Sequence, residues 1–199
     1  MITLGITGGI GAGKSETAEY LEELGIPVLD TDQVAREVVM PGRPALAEVV
    51  SAFGEGILDA QGHLDRAALA RRVFQDDAAR ASLERILHPR IHEVWMAWLQ
   101  RQASFFQPIA AVVIPLLYEK GYQAAFRAVI ALGCSETTQR QRLRQRLWTE
   151  EMIDQRLAAQ WSMTEKLRRA DHVLWSEGQR SVLREQVDSV LRAQGWLRR

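Results

Sequence analysis

The chain has 199 residues, 25 basic and 25 acidic, so its formal net charge is zero, and 47% of it is hydrophobic. That length fits one domain with a small appendage, and that composition excludes wholesale disorder. Zero net charge argues against a dedicated nucleic-acid binder, a single cysteine, Cys134, excludes an internal disulfide or a cysteine-rich zinc site, and no apolar run reaches the roughly 18 residues of a membrane-spanning helix.

The predicted elements alternate along the chain. Residues 2–7 are a short apolar run that ends in a glycine-rich turn, with no basic leader before it. Residues 15–24 have helical spacing through Ala18, Leu21 and Leu24, and Gly25 stops them. Ile26 to Leu29 predicts a short strand, 33–39 a helix, and Pro41-Gly42 a break. Helices are expected at 44–53, 65–74 and 77–87, and Pro89 is placed as the first residue of another. In that helix Ile91, Val94, Trp95, Trp98 and Leu99 follow helical spacing, which assigns both tryptophans to packing.

Residues 109–114 and 128–132 are continuous apolar runs, as in strands buried on both faces of a parallel sheet. Helices are expected at 136–147 and 150–161, a strand at 172–174 and a last helix at 179–194. Strands separated by helices predict an α/β fold with a mostly parallel sheet. Cys134 reads as a small buried residue at a strand end. The single thiol and the absence of a leader or membrane span point to the cytoplasm.

The segment Gly8-Gly9-Ile10-Gly11-Ala12-Gly13-Lys14-Ser15 satisfies G-x-x-x-x-G-K-S/T, the phosphate-binding P-loop, with a predicted strand before it and a helix after it. Its glycines let backbone N–H groups close on phosphate oxygens. The helix that follows aims its positive dipole end at the same place. Lys14 adds a mobile charge toward the β- and γ-phosphates of ATP, and Ser15 offers a hydroxyl to Mg2+. The chain has no Asn, so the guanine-reading Asn-Lys-x-Asp motif is absent. Asp59-Ala60-Gln61-Gly62 matches the GTPase D-x-x-G string but follows no long apolar strand and reads as a polar turn. A small phosphotransferase is the leading class.

Such an enzyme needs a group to take the acceptor's proton. Asp30 ends the second predicted strand, where ligands gather in open α/β sheets, and is a candidate general base. Asp30 or Asp32 could equally cap the next helix, and Asp32 fits the cap better. Arg142 and Arg146 stand four apart, as do Arg140 and Arg144. Each pair shares a helix face that could cover ATP from a lid or could simply be solvated. His88, before Pro89, reads as a turn histidine, and no grouping has structural-zinc spacing.

Taken together, these residues resemble the dephospho-coenzyme A kinases. The resemblance rests on Gly5 to Ser15, Val28-Leu29-Asp30-Thr31-Asp32, Ala35-Arg36-Glu37-Val38-Val39 with Pro41-Gly42, and Leu87-His88-Pro89. It continues through Pro115-Leu116-Leu117-Tyr118-Glu119, Ala158-Ala159-Gln160, and Lys166 to Val173 with Ala170-Asp171 inside. It implies a P-loop kinase fold with a central five-stranded parallel sheet flanked by helices. The core would be 1–31, 106–135 and 162–199, the helical acceptor region 32–105 and the helical lid 136–161.

The implied reaction moves the γ-phosphoryl group of ATP to the ribose 3′-hydroxyl of dephospho-CoA. Asp30 would be the base, and Lys14, Arg142 and Arg146 the catalytic cations. Gly9, Gly11, Ala12, Gly13, Lys14, Ser15 and Glu16 would hold ATP, with Ser15 on Mg2+. Asp32, Arg36, His88 and Glu119 would face the acceptor. The expected partner is this small molecule, with no nucleic acid and no membrane, in a monomer or small homo-oligomer. Rival readings are a nucleoside monophosphate or sugar kinase, or a nucleotide-dependent switch. Three places depart from the family pattern, one of them Leu147-Trp148, which stands where an acidic residue usually follows the lid arginines. Glu16 stands where Thr is usual, and Ser176 where Asn is usual near the adenine.

Overall fold

The computed structural model describes residues 1–74 and 76–197. Its strands are β1 (Ile2–Gly8), β2 (Val28–Asp30), β3 (Ile109–Val113), β4 (Ala128–Gly133) and β5 (His172–Trp175). They form one five-stranded sheet in the order β2-β3-β1-β4-β5, and every pairing is parallel. The two continuous apolar runs become β3 and β4, and every residue in both is buried. Burial on two faces leaves no polar side for such a strand to alternate with, so the expected parallel sheet is the one found.

The helices are α1 (Lys14–Glu23), α2 (Thr31–Glu37), α3 (Pro44–Phe53), α4 (Arg66–Phe74) and α5 (Asp77–Ser104), followed by α6 (Glu136–Gln145), α7 (Glu150–Ala158), α8 (Met163–Arg169) and α9 (Arg180–Ala193). The chain divides into two compact units, Met1–Asp30 with Arg101–Arg199, and Thr31–Gln100. The first holds the whole sheet. Leu21 of α1 and Leu183, Val187 and Leu191 of α9 pack into the same core as Leu4, Ile6, Val113, Ile130 and Leu132. Tyr20 Oη donates to Asp188 over 2.9 Å and Arg184 pairs with Glu23 at 2.7 Å, closing α1 on α9.

The second unit is helical, with Val49, Phe53, Ile57 and Leu69 in one cluster and Val39, Ala45 and Leu46 in another. Asp59–Gly62 is the polar turn expected. Asp59 Oδ1 accepts from the N–H groups of Gln61 and His63, and Gly62 has φ +79°.

Three expectations change. Pro89 does not begin a helix but lies inside α5, which runs unbroken for 28 residues. A proline removes one N–H donor from the ladder, and here the turn before it is packed, with Leu83, Ile86 and Leu87 against the second unit's cluster. His88 is accordingly on a helix, not a turn. The helix expected over 150–161 ends at Ala158, and an unexpected one, α8, follows, capped by Ser162 Oγ accepting from Glu165 N–H. The helix expected to reach 147 stops at Gln145, and Leu147 turns the chain with φ +62° while 92% exposed.

Candidate active site

The P-loop lies where β1 hands over to α1, at the centre of the sheet. Gly8 has φ +145°, and a Cβ there would sit 2.4 Å from the Leu132 carbonyl oxygen of β4. Gly13 caps α1 with φ +93° and no side-chain bond, and a Cβ there would meet Ser176 Cβ at 2.9 Å. The backbone N–H groups at the helix start thus carry no side-chain cap bond, the arrangement that receives phosphate. Lys14 Nζ donates to the carbonyls of Gly8 at 3.0 Å and Gly9 at 2.9 Å, so its charge is held over the loop. Ala12 is buried and its N–H bonds Gly9 at 3.1 Å, closing the loop. Ser15 is exposed in the first turn of α1. Beside it Glu16 does not stand alone. Arg180 Nε is 3.5 Å from its Oε1, an ion pair that offsets a carboxylate placed near a phosphate site.

Asp30 ends β2 on the same edge of the sheet. Chain order suggests that it adjoins the P-loop directly, but β3 intervenes. Asp30 pairs with Val113, and Val113 with Ile6. Two strand spacings place Asp30 about 10 Å across the sheet from Ile6.

The arginines of α6 separate cleanly. Arg142 Nη1 donates to Gly11 O at 3.1 Å and Ser176 Oγ at 2.9 Å, and Nη2 donates to Ser176 O. Arg146 caps the end of α6 and is exposed. Arg140 is engaged by Glu136, Glu150 and Asp154, and Arg144 by Glu150. Gln139 Nε2 donates to Ile10 O at 2.7 Å, which ties α6 to the loop a second time. Glu177 secures the start of α6. Its Oε1 accepts from Ser135 N–H and Thr138 Oγ1 and its Oε2 from Trp175 Nε1. The Ser135 side chain foremost, then Trp175, Thr138 and the Ser135 N–H, hold its pKa down to about 2.

Glu119 gives its Oε1 to Lys166 Nζ at 2.8 Å and to the Trp161 N–H at 2.9 Å. Cys134 is buried next to β4, its N–H reaches Met163 Sδ at 3.2 Å, and burial pushes its thiol pKa up. The remaining expected residues belong to the second unit. Asp32 is in the first turn of α2 and Arg36 in its last, both exposed. His88 Nε2 stands 3.5 Å from Glu84 Oε2 on α5. Among the described residues no three His, Cys, Asp or Glu side chains cluster as a metal cage. The Ser15 hydroxyl and the uncapped start of α1 do fit a divalent cation that arrives with phosphate oxygens.

A dephospho-CoA kinase family model matches residues 2–182. The chain belongs to the dephospho-CoA kinase family. It is 46% identical over 193 residues to a dephospho-CoA kinase of Thiobacillus denitrificans, covering 96% of this chain and 94% of that protein. A crystal structure from Thermus thermophilus superposes with a TM-score of 0.80 at 34% identity, covering 96% of this chain and 97% of that one. A dephospho-CoA kinase of Campylobacter jejuni shares the fold at a TM-score of 0.70 and 24% identity, covering 98% of each. The P-loop kinase fold expected of the family is the one described here, and no helix among the described residues is long and apolar enough to cross a membrane.

Sequence reasoning named Arg142 but missed what holds it. The Ser176 and Glu177 anchors lie 34 and 39 positions away from their partners Arg142 and Thr138, too far for any local pattern to join them. Lys166 was legible only as part of a family motif.

Proposed function

We infer that the chain transfers the γ-phosphoryl group of ATP to the ribose 3′-hydroxyl of dephospho-CoA, giving CoA and ADP, the last step of coenzyme A synthesis. The observation that carries the reading is the placement of three different groups on one edge of the sheet. They are an anion-cradling loop on β1, a carboxylate on β2 and a guanidinium bound to the loop itself. A nucleoside monophosphate or sugar kinase, or a nucleotide switch, is not favoured by a chain that the family matches almost end to end.

In this mechanism the Asp30 carboxylate accepts the 3′-hydroxyl proton as the oxygen attacks the γ-phosphorus. The new O–P bond forms in line as the bond from phosphorus to the β-phosphate oxygen breaks. Asp30 and the end of β1 flank the end of β3 about 10 Å apart, and the acceptor hydroxyl and the phosphoryl group would meet beyond that strand end, between the carboxylate and the loop. The loop N–H groups of Gly9, Gly11, Ala12 and Gly13 orient the phosphates, with Ser15 and Glu16 completing the first turn. Lys14 swings from the Gly8 and Gly9 carbonyls to the β- and γ-phosphates, and Arg142 and Arg146 face the charge that develops on the transferred group. Mg2+, bound through Ser15 and the nucleotide, would supply further neutralisation of that charge. Asp32, Arg36 and His88 are assigned to the acceptor side on the strength of the family motifs. The enzyme is taken to work in the cytoplasm as a monomer or small homo-oligomer.

The test is ADP release with Mg-ATP, with and without dephospho-CoA, followed by mass analysis of the acceptor. Acceptor-dependent release and a product heavier by one phosphoryl group are expected. In the same assay Asp30→Asn lowers kcat by at least about 100-fold with little change in KM. An unchanged kcat removes Asp30 as the base.

A further inference from the structure

Lys166 on α8 is a charged side chain with no exposed surface at all, and nothing in the mechanism above uses it. Its ammonium reaches two acceptors that belong to the chain just beyond β3. One is Pro115 O at 2.6 Å and the other Glu119 Oε1 at 2.8 Å. Each acceptor has a second donor. Pro115 O also accepts from Thr7 Oγ1 at 3.3 Å, and Thr7 is the residue before Gly8, where the phosphate loop begins. Glu119 Oε1 also accepts from the Trp161 N–H at 2.9 Å. Trp161 stands between the end of α7 and the start of α8, where the chain returns from the α6–α7 hairpin to the sheet. Its ring stacks parallel to Tyr118, with centroids 6.5 Å apart, and Arg169 lies over it at 4.5 Å.

Stability is a poor explanation for this arrangement. A buried ion pair is often replaceable by apolar residues of equal volume without loss, because desolvation offsets the attraction. Burial does pull the Lys166 pKa down, and Glu119 pulls it back. An apolar side chain could fill the space, but it could not bridge Pro115 to Glu119 while leaving Glu119 aimed at a backbone N–H of the returning chain.

We propose that Glu119 and Lys166 are a positioning pair. They fix the chain at Trp161 against the strand end beside the phosphate loop, and so set where the α6–α7 hairpin holds Arg142 and Arg146. This assigns Glu119 a place behind the site, not on the acceptor. The proposal rests on the kinase reading. A positioning pair of this kind acts on the transition state more than on bound ATP.

The experiment measures kcat, the Kd for Mg-ATP without acceptor, and the melting temperature for Lys166→Met, Glu119→Gln and the double variant. Lys166→Met is expected to lower kcat by about 10- to 100-fold and to change Kd by less than about threefold. Glu119→Gln keeps the shape and a neutral acceptor oxygen, and is expected to lower kcat by about three- to tenfold. The double variant is expected to fall no further than Lys166→Met alone, because the two side chains act as a unit. The proposal is overturned if both single variants keep kcat within about twofold of wild type, or if kcat and Kd worsen together in step with melting temperature. Should Lys166→Met fail to fold, Glu119→Gln decides by the same criterion. A wild-type protein that does not phosphorylate dephospho-CoA overturns the kinase reading itself, and this inference with it.

Discussion

Two faces of one helix carry the same residue type at the same spacing and meet opposite surroundings. On α6, Arg140 and Arg144 are matched by Glu136, Glu150 and Asp154. Arg142, two residues from each, meets no carboxylate within ion-pair distance among the described residues, and its donors end on neutral oxygens of Gly11 and Ser176. Arg146 has no side-chain hydrogen bond or ion pair among the described residues. A guanidinium already neutralised by carboxylates offers little field to a polyanion. One held by carbonyls and a hydroxyl is fixed in place yet keeps its full charge for phosphate. Helical spacing can group the side chains, but the partners decide which group is available for chemistry.

That contrast can be broken at graded positions. The largest effect belongs to Arg142→Ala, which is expected to lower kcat/KM for ATP by about 100-fold, the scale for losing one preorganised donor to a transition state. Arg142→Lys should recover only part of that, because a lysine lacks the second nitrogen that in arginine reaches the Ser176 carbonyl from a fixed planar fork, and full recovery would mean that charge alone matters.

An intermediate effect belongs to the anchor of the same face. Glu177 has a pKa held at about 2 against an ordinary 4.5, so the stability it adds is complete above pH 4.5 and is lost as pH falls through about 2. Glu177→Gln should therefore melt lower than wild type at neutral pH, with the gap closing as the buffer is taken down toward pH 2. A gap that stays constant with pH would assign the effect to something other than this carboxylate.

The smallest effect belongs to the opposite face. Arg144→Ala is expected to leave kcat within about twofold of wild type, and any loss of melting temperature should shrink as salt is added, as for exposed pairs generally. A large kcat loss at Arg144 would erase the distinction between the faces.

The parts written in local pattern were legible in the sequence. β3 and β4 declared themselves as unbroken apolar runs, and the phosphate loop as glycines at fixed spacing before Lys14 and Ser15. A loop built from backbone needs particular residues at particular positions, so its chemistry survives translation into a string. α8 was missed even though Ser162-Met163-Thr164-Glu165 carries an S-x-x-E start signal, and the capping bond is there in the structure. Pro89 misled because a proline starts helices more readily than it sits inside them, and in α5 packing of the flanking turns outweighed that preference. The order of the strands was not legible either, which is why β3 came between Asp30 and the loop. Least legible were the pairs that hold α6 and its return in place. Arg142 with Ser176 and Glu119 with Trp161 are joined only by folding, across 34 and 42 positions.

Cys134, buried beside β4 with its thiol pKa raised, bears on the company this chain keeps. Both dephospho-CoA and CoA end in a thiol, and their oxidised forms are disulfides. Exchange with such a disulfide requires an accessible thiolate on the protein. The chain has one sulfhydryl in all, closed off from solvent and with its pKa pushed up by burial, away from the thiolate that exchange needs. A catalyst whose product can form mixed disulfides therefore offers it no partner, and oxidised coenzyme should leave the protein unlabelled while it stays folded.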